Sequence, residues 1–187
     1  MKNKLPILLI LTVYLLGIYY LILPVPTLPS LTDSVVSDEP GDTWQHPDQI
    51  AFYTNRDNRQ DILDELQNKF SLPGLAKIIN YRLNYRPEDT QDLVRDPLKS
   101  YYLEEVVHPF RESLFINVLD PEKSPLIRDE DRAQQRMYFH GQFYPIKVTL
   151  KPIYAGLWAR LLVWTLIFPT SLAVFLSLKK SFSKLSS

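Results

Sequence analysis

The sequence contains no cysteine. That excludes a disulfide framework, thiolate metal sites and a cysteine nucleophile. Glycine is scarce as well, five residues against fifteen prolines, so the connections are stiff rather than flexible. Neither a P-loop nor a G-x-G-x-x-G turn occurs, and there is no G-x-S-x-G elbow and no H-E-x-x-H helix. Histidine is limited to His46, His108 and His140. Acidic residues are missing from both ends of the chain: all twenty-one lie between Asp33 and Asp131.

The formal net charge of +0 therefore hides a segregation. Six basic residues (Lys2, Lys4, Arg160, Lys179, Lys180 and Lys184) lie outside 25–155, which leaves fifteen against all twenty-one acids in the middle, a formal −6. An acidic middle lacks the basic footprint of nucleic-acid binding. The ends are apolar with basic tips. Leu5 to Leu23 is nineteen residues without a charge, about the length that spans a ~30 Å hydrocarbon core as a helix. Its apolar core is longer than that of a cleaved signal peptide, and "LPVPTLPSL" offers no A-x-A cleavage pattern, so it reads as an uncleaved signal anchor. Leu161 to Leu178 is a second uncharged run, extended by Gly156 to Ala159. Trp158 and Trp164 are placed to mark its near interface, and Pro169 to kink it, with Thr170 and Ser171 meeting the freed backbone groups. Ala173 and Ser177 form one small-xxx-small pair, by itself a weak packing signal. Lysines flank the outer end of each run, so both termini are expected in the cytoplasm of a plasma-membrane protein, with the middle outside.

The expected organisation is a cytoplasmic tip over 1–4, a transmembrane helix over 5–24, a Pro-rich stalk and loop over 25–48, an extracytoplasmic α+β domain over 49–154, a second transmembrane helix over 155–178 and a cytoplasmic tail over 179–187. Within the middle, "QIAFYT" reads as a strand. Asp57 with Gln60 forms a capping-box arrangement for a helix with Ile62, Leu63, Leu66 and Phe70 on one face. Ile79 to Arg86 alternates strictly, with Tyr81, Leu83 and Tyr85 expected inward and Arg82 and Arg86 outward. Pro87 opens a short helix. Residues 101–119 are β-rich and broken near Pro109, 120–136 is an exposed loop with one helical turn, and 138–154 returns to strand. The fold class is α+β: a mostly antiparallel sheet with one or two covering helices, flanked by two transmembrane helices.

The opening of that domain, "AFYTNRDNRQDILDELQNKF", resembles an element of small extracytoplasmic α+β domains in bacterial membrane proteins and lipoproteins. The whole layout resembles uncharacterised two-span proteins of bacterial genomes. That resemblance implies a location and a fold class; no catalytic motif comes with it.

Chemistry concentrates in "LEEVVHPFRES", residues 103–113. Glu104, Glu105, His108 and Arg111 are the candidate catalytic residues. Glu105 and His108 have E-x-x-H spacing, which on a helix can chelate a metal. Val106, Val107 and Pro109 favour a strand, where the two point to opposite faces. A structural role for His108 is the plainer expectation; Glu104, His108 and Glu112 alternate outward only if the register survives Pro109, since a bulge would shift it by one residue, and no metal and no cofactor are implied. Arg82, Arg86, Lys147 and Lys151 fall on expected outward faces, and would form a basic ligand-binding face if their strands are neighbours. Three readings stay open. One is a membrane-anchored binding or scaffolding domain, with the lipid bilayer and a protein or cell-envelope partner. Another is an enzyme on lipid- or wall-linked substrates around His108. The third is an accessory subunit of a larger membrane complex.

Overall fold

The structure, a computed structural model, describes residues 4–43, 49–86 and 97–185. The chain divides into two compact units, 1–24 with 155–187, and 25–154.

The first unit is a pair of helices, α1 (Lys4–Ile22) and α4 (Leu157–Leu185). Within α4, Leu157–Leu178 is 22 residues, long and apolar enough to cross a membrane. The apolar part of α1, Pro6–Ile22, is shorter; at 1.5 Å per residue it spans roughly 26 Å, less than a ~30 Å hydrocarbon core. One helix of the expected two thus meets the length of a span. The two pack antiparallel. Trp164 donates its indole N–H to the Tyr14 carbonyl at 3.2 Å, and the Tyr14 and Thr165 hydroxyls meet at 3.2 Å. Gly17 allows this approach: a Cβ there would lie 2.1 Å from the Trp164 ring. Trp164 is therefore a packing residue against α1, and the α1 glycine is its socket. Ala173 and Ser177 are exposed. Helix α4 runs through Pro169 without a break; the missing N–H of Pro169 concerns the Thr165 carbonyl, and the neighbouring Thr170 donates its hydroxyl to the Leu166 carbonyl at 2.7 Å.

The second unit is α+β. Its main sheet is built from β1 (Ser34–Val36), β2 (Ile50–Thr54), β3 (Tyr81–Tyr85), β4 (Ser100–Val107), β5 (Ser113–Leu119) and β8 (Ile146–Ile153). The order is β1-β2-β8-β5-β4-β3, and every described pairing is antiparallel. A separate hairpin is formed by β6 (Met137–Phe139) and β7 (Gln142–Tyr144). The helices are α2 (Pro40–Thr43) and α3 (Arg59–Lys69), with a 3-10 stretch over Gly74–Ile79.

Alternation decides the layers. Phe52, Tyr102, Val106, Leu114, Ile116, Val118, Ile146, Val148 and Leu150 point to one face and pack on Ile62, Leu63, Leu66 and Phe70 of α3 and its C-cap. Complete burial of each such side chain is worth about 1.5–3 kcal/mol. The opposite face is covered at one end by the β6–β7 hairpin, where Met137, Phe139 and Tyr144 close over Tyr53 and Leu119. Tyr53 and Phe139 stack with centroids 4.6 Å apart.

Several expectations change. The helix cap is Asn58, one residue after Asp57, and its side chain accepts from the Gln60 N–H at 3.0 Å. Residues 31–43 hold β1 and α2 rather than loop alone, and Leu31 enters the core with Leu28 packed beside it. The β3 alternation is real but reversed: Arg82 and Asn84 lie opposite Val106 and Glu104 on the helix-covered face, while Tyr81 and Leu83 are exposed on the other. A period-2 pattern gives two faces without saying which one the helix covers. The helix expected at Pro87, and His46, lie outside the described residues.

Candidate functional site

Residues 108–112 form the turn between β4 and β5. The Arg111 N–H donates to the His108 carbonyl at 3.0 Å, and the His108 N–H to the Glu112 carbonyl at 3.0 Å. Pro109 at the second turn position and Phe110 at φ 61° in the third match a type II turn. An aromatic residue there is strained, since L side chains disfavour positive φ. The turn folds its polar side chains back into the domain. His108, Arg111 and Glu112 have no exposed side-chain surface. Glu112 accepts from Arg111 Nε at 3.1 Å and pairs with its Nη2 at 2.9 Å, while its Oε1 lies 3.2 Å from His108 Nδ1. The His108 ring stacks on Phe70 with centroids 5.1 Å apart, and its Nε2 is buried with no hydrogen-bond partner among the described residues.

Glu104, His108 and Glu112 do not face outward, the placement that an undisturbed register was expected to give. All three are buried, because they share parity with Tyr102 and Val106 on the helix-covered face. Glu104 forms a different cluster. Arg59 holds it in a close ion pair, with a second hydrogen bond from Nε at 3.1 Å; Arg82 Nε lies 3.8 Å away, and Arg82 Nη1 reaches Asp64 at 3.2 Å. The Arg59 guanidinium sits 4.4 Å over the Tyr102 ring. Burial pushes the Tyr102 phenol well above its ordinary range. Glu105 points the other way and accepts from the Tyr85 hydroxyl at 2.6 Å. That hydrogen bond, with burial, raises the Tyr85 phenol to about 12. The four catalytic candidates are thus divided among three environments.

The basic face dissolves as well. β3 and β8 are separated by β4 and β5. Arg82 lies on the helix-covered face, whereas Lys147 and Lys151 lie on the opposite one. Arg86 follows β3 and is exposed, and Lys151 is half-buried. Lys147 is buried and engaged, with Nζ 2.7 Å from Glu39 and 2.8 Å from Asp42, and 5.0 Å from the centre of the Tyr53 ring. Burial opposes its charge, but the hydrogen bonds to Asp42 and Glu39 prevail and hold the ammonium above its ordinary range. Burial likewise raises the Tyr53 phenol to about 12, with Lys147 opposing.

These partners carry no signal in the sequence. Glu39 and Lys147 are 108 positions apart, and Arg59 and Glu104 are 45 apart. Among the described residues, no group of three or more His, Asp or Glu side chains is arranged to hold a metal ion. Chemically, each cluster stitches elements together: α3 to β4 through Arg59, the 37–42 segment to β8 through Lys147, and the β4–β5 turn to itself through Glu112. The chain matches no protein-family model, no curated protein and no solved structure.

Proposed function

We infer that the chain is a two-span, membrane-anchored protein whose α+β domain lies outside the cytoplasm and serves as a binding or scaffolding module rather than an enzyme. The observation that carries the anchor is α4: its 22-residue stretch Leu157–Leu178 is long and apolar enough to cross a membrane, buries Arg160 but leaves most of its apolar side chains exposed, and is separated by three residues from the last strand of the domain. The domain's charged clusters are spent on its own packing. His108, Arg111 and Glu112, the richest of them in catalytic side-chain types, present no surface to a substrate. Lysines at both outer flanks support cytoplasmic termini. Membranes washed with alkaline carbonate test the anchor: the chain is expected to stay in the pellet, and its release would overturn the reading. Accessibility of the 120–136 segment to protease in spheroplasts tests the outside location; protection there until the membrane is dissolved would reverse it.

The accessory-subunit reading has one observation of its own. A shallow apolar groove of about 370 Å³ on α4 is lined by Trp158, Leu161, Leu162, Thr165 and Leu166. A partner helix in a larger complex would fit such a groove, and purification in mild detergent as one fixed-stoichiometry complex would favour this reading over a lone scaffold.

A further inference from the structure

One end of the sheet is unlike the rest of the domain. Tyr81 lies opposite Val107, Val107 opposite Ser113, and Ser113 opposite Ile153, so these four residues form the last complete row across β3, β4, β5 and β8. The 3-10 stretch Gly74–Ile79 leads into β3 at this same end. There Leu75 is 87 % exposed and Ile78 82 %, with Tyr81 at 46 % and Ile153 at 44 %. Gly74, at φ 63°, makes the turn that sets Leu75 on the surface. Soluble surfaces seldom gather large aliphatic side chains in this way without a use for them.

Two further facts choose the occupant. Residues 66–87 contain no acid and four basic residues, Lys69, Lys77, Arg82 and Arg86, in a middle region that is otherwise acidic. Lys77 is exposed between Leu75 and Ile78, the apolar-plus-lysine composition of segments that lie in a membrane interface. The same end of the sheet is also tied to the bilayer by the chain. Only residues 154–156 separate Ile153 from the start of α4, and a fully extended connection of that length reaches no more than about 14 Å. If α4 spans a membrane, Ile153 cannot lie far from its surface.

We propose that this end of the domain docks into the outer leaflet, with Leu75 and Ile78 in the interfacial layer and Lys77 at the level of anionic headgroups. The domain is then held against the lipid as well as anchored in it. The proposal rests on the membrane-anchor reading, and its test separates the two.

The absence of cysteine allows single nitroxide labels on the full chain, reconstituted in nanodiscs of phosphatidylcholine and phosphatidylglycerol. Leu75→Cys and Ile78→Cys are so exposed that a label leaves the fold intact. Leu166→Cys reports the span, and Glu130→Cys, on a distant exposed turn, reports water. Collision with oxygen is favoured in lipid and collision with a nickel chelate in water. Labels at 75 and 78 are expected to show an oxygen-to-nickel ratio several-fold above that at 130 and below that at 166. If 166 is lipidic while 75 and 78 match 130, docking fails and the anchor stands. If 166 itself is aqueous, the anchor fails and docking with it. Labels at 75 and 78 shielded from both reagents would mean a protein occupant, a second copy included, and would equally overturn lipid docking.

Discussion

Glu112 carries more of the β4–β5 turn than any other side chain in it. Its carboxylate meets both Arg111 and His108 where no solvent reaches. Removing one partner of such a buried pair costs about 3–5 kcal/mol, because the other charge stays buried. Glu112→Gln should therefore lower the urea midpoint of the full chain in micelles sharply, while an exposed exchange such as Glu130→Gln leaves it unchanged. His108→Gln should cost less, about 1–3 kcal/mol, since it loses the stack on Phe70 but also the ring nitrogen that has no partner among the described residues. Metal analysis of the wild-type protein is expected to give none, and stoichiometric zinc or iron lost in His108→Gln would reopen the enzyme reading. The sequence identified the residues of this cluster but misjudged their direction. Of the E-x-x-H pair, Glu105 did fall on a strand and His108 on the first turn residue after it, and the two did split between faces. Which face was inward depended on α3 covering the side that carries Tyr102, and nothing local to the stretch encodes that.

At the scale of elements, α3 is tied to the entering chain through Glu65. Its carboxylate accepts from the Thr32 N–H and hydroxyl, each at 2.8 Å, and pairs with Lys69 at 2.8 Å and closely with Arg56. Burial alone would raise the Glu65 carboxyl, but the hydrogen bonds from Lys69, Arg56 and Thr32 together outweigh it and hold it at about 2 against an ordinary 4.5. A carboxyl depressed on folding stabilises fully above its unfolded value, and that contribution is lost as pH falls from about 4.5 towards 2. Discounted for partial exposure, it is on the order of 2 kcal/mol. Glu65→Gln should thus be less stable than wild type at pH 7, with the gap closing by pH 2.5 in thermal melts; a gap independent of pH would contradict the assignment. The helix pair permits a second test. In a chain with Trp44 and Trp158 replaced by Phe, the emission of Trp164 reports its seat on Gly17. Gly17→Val should shift that emission, since a side chain there meets the indole at 2.1 Å, and unchanged emission would mean that the helices do not pack as described. Period and composition made α3, the β4–β5 break and both apolar helices legible. Gly17 was not, because one glycine in an apolar run names no partner. The short β1 strand was not legible either, since its three residues gain their stability from pairing with β2.

At the scale of the whole molecule, the remaining question is threading. Helix α1 falls short of an ordinary span by itself, yet it packs antiparallel on α4, with Tyr14 near Thr165 and Phe168, and Gly17 against Trp164. As α1 is followed back towards its N-terminus, its neighbours on α4 lie further towards the C-terminus. The N-terminal end of α1 and the C-terminal end of α4 therefore lie on the same side of the helix pair. On the proposed two-span threading the lysine-rich flanks would add rather than cancel: Lys2, Lys4, Lys179, Lys180 and Lys184 all fall at the outer flanks of the two helices in the sequence, and five basic residues on one side would favour that side in the cytoplasm. If α1 spans as proposed, its short length would be met by local thinning of the bilayer or by flanking lysines reaching to the headgroups. Reporter domains fused at the C-terminus and inserted within the exposed 129–135 turn should report opposite compartments, the first inside and the second outside. Exchanging Lys179, Lys180 and Lys184 together for Gln should weaken this bias and give a mixed population, because only Lys2 and Lys4 then remain to hold it. A C-terminal reporter active only outside, or one indifferent to those lysines while α4 still inserts, would show that charge does not set the topology.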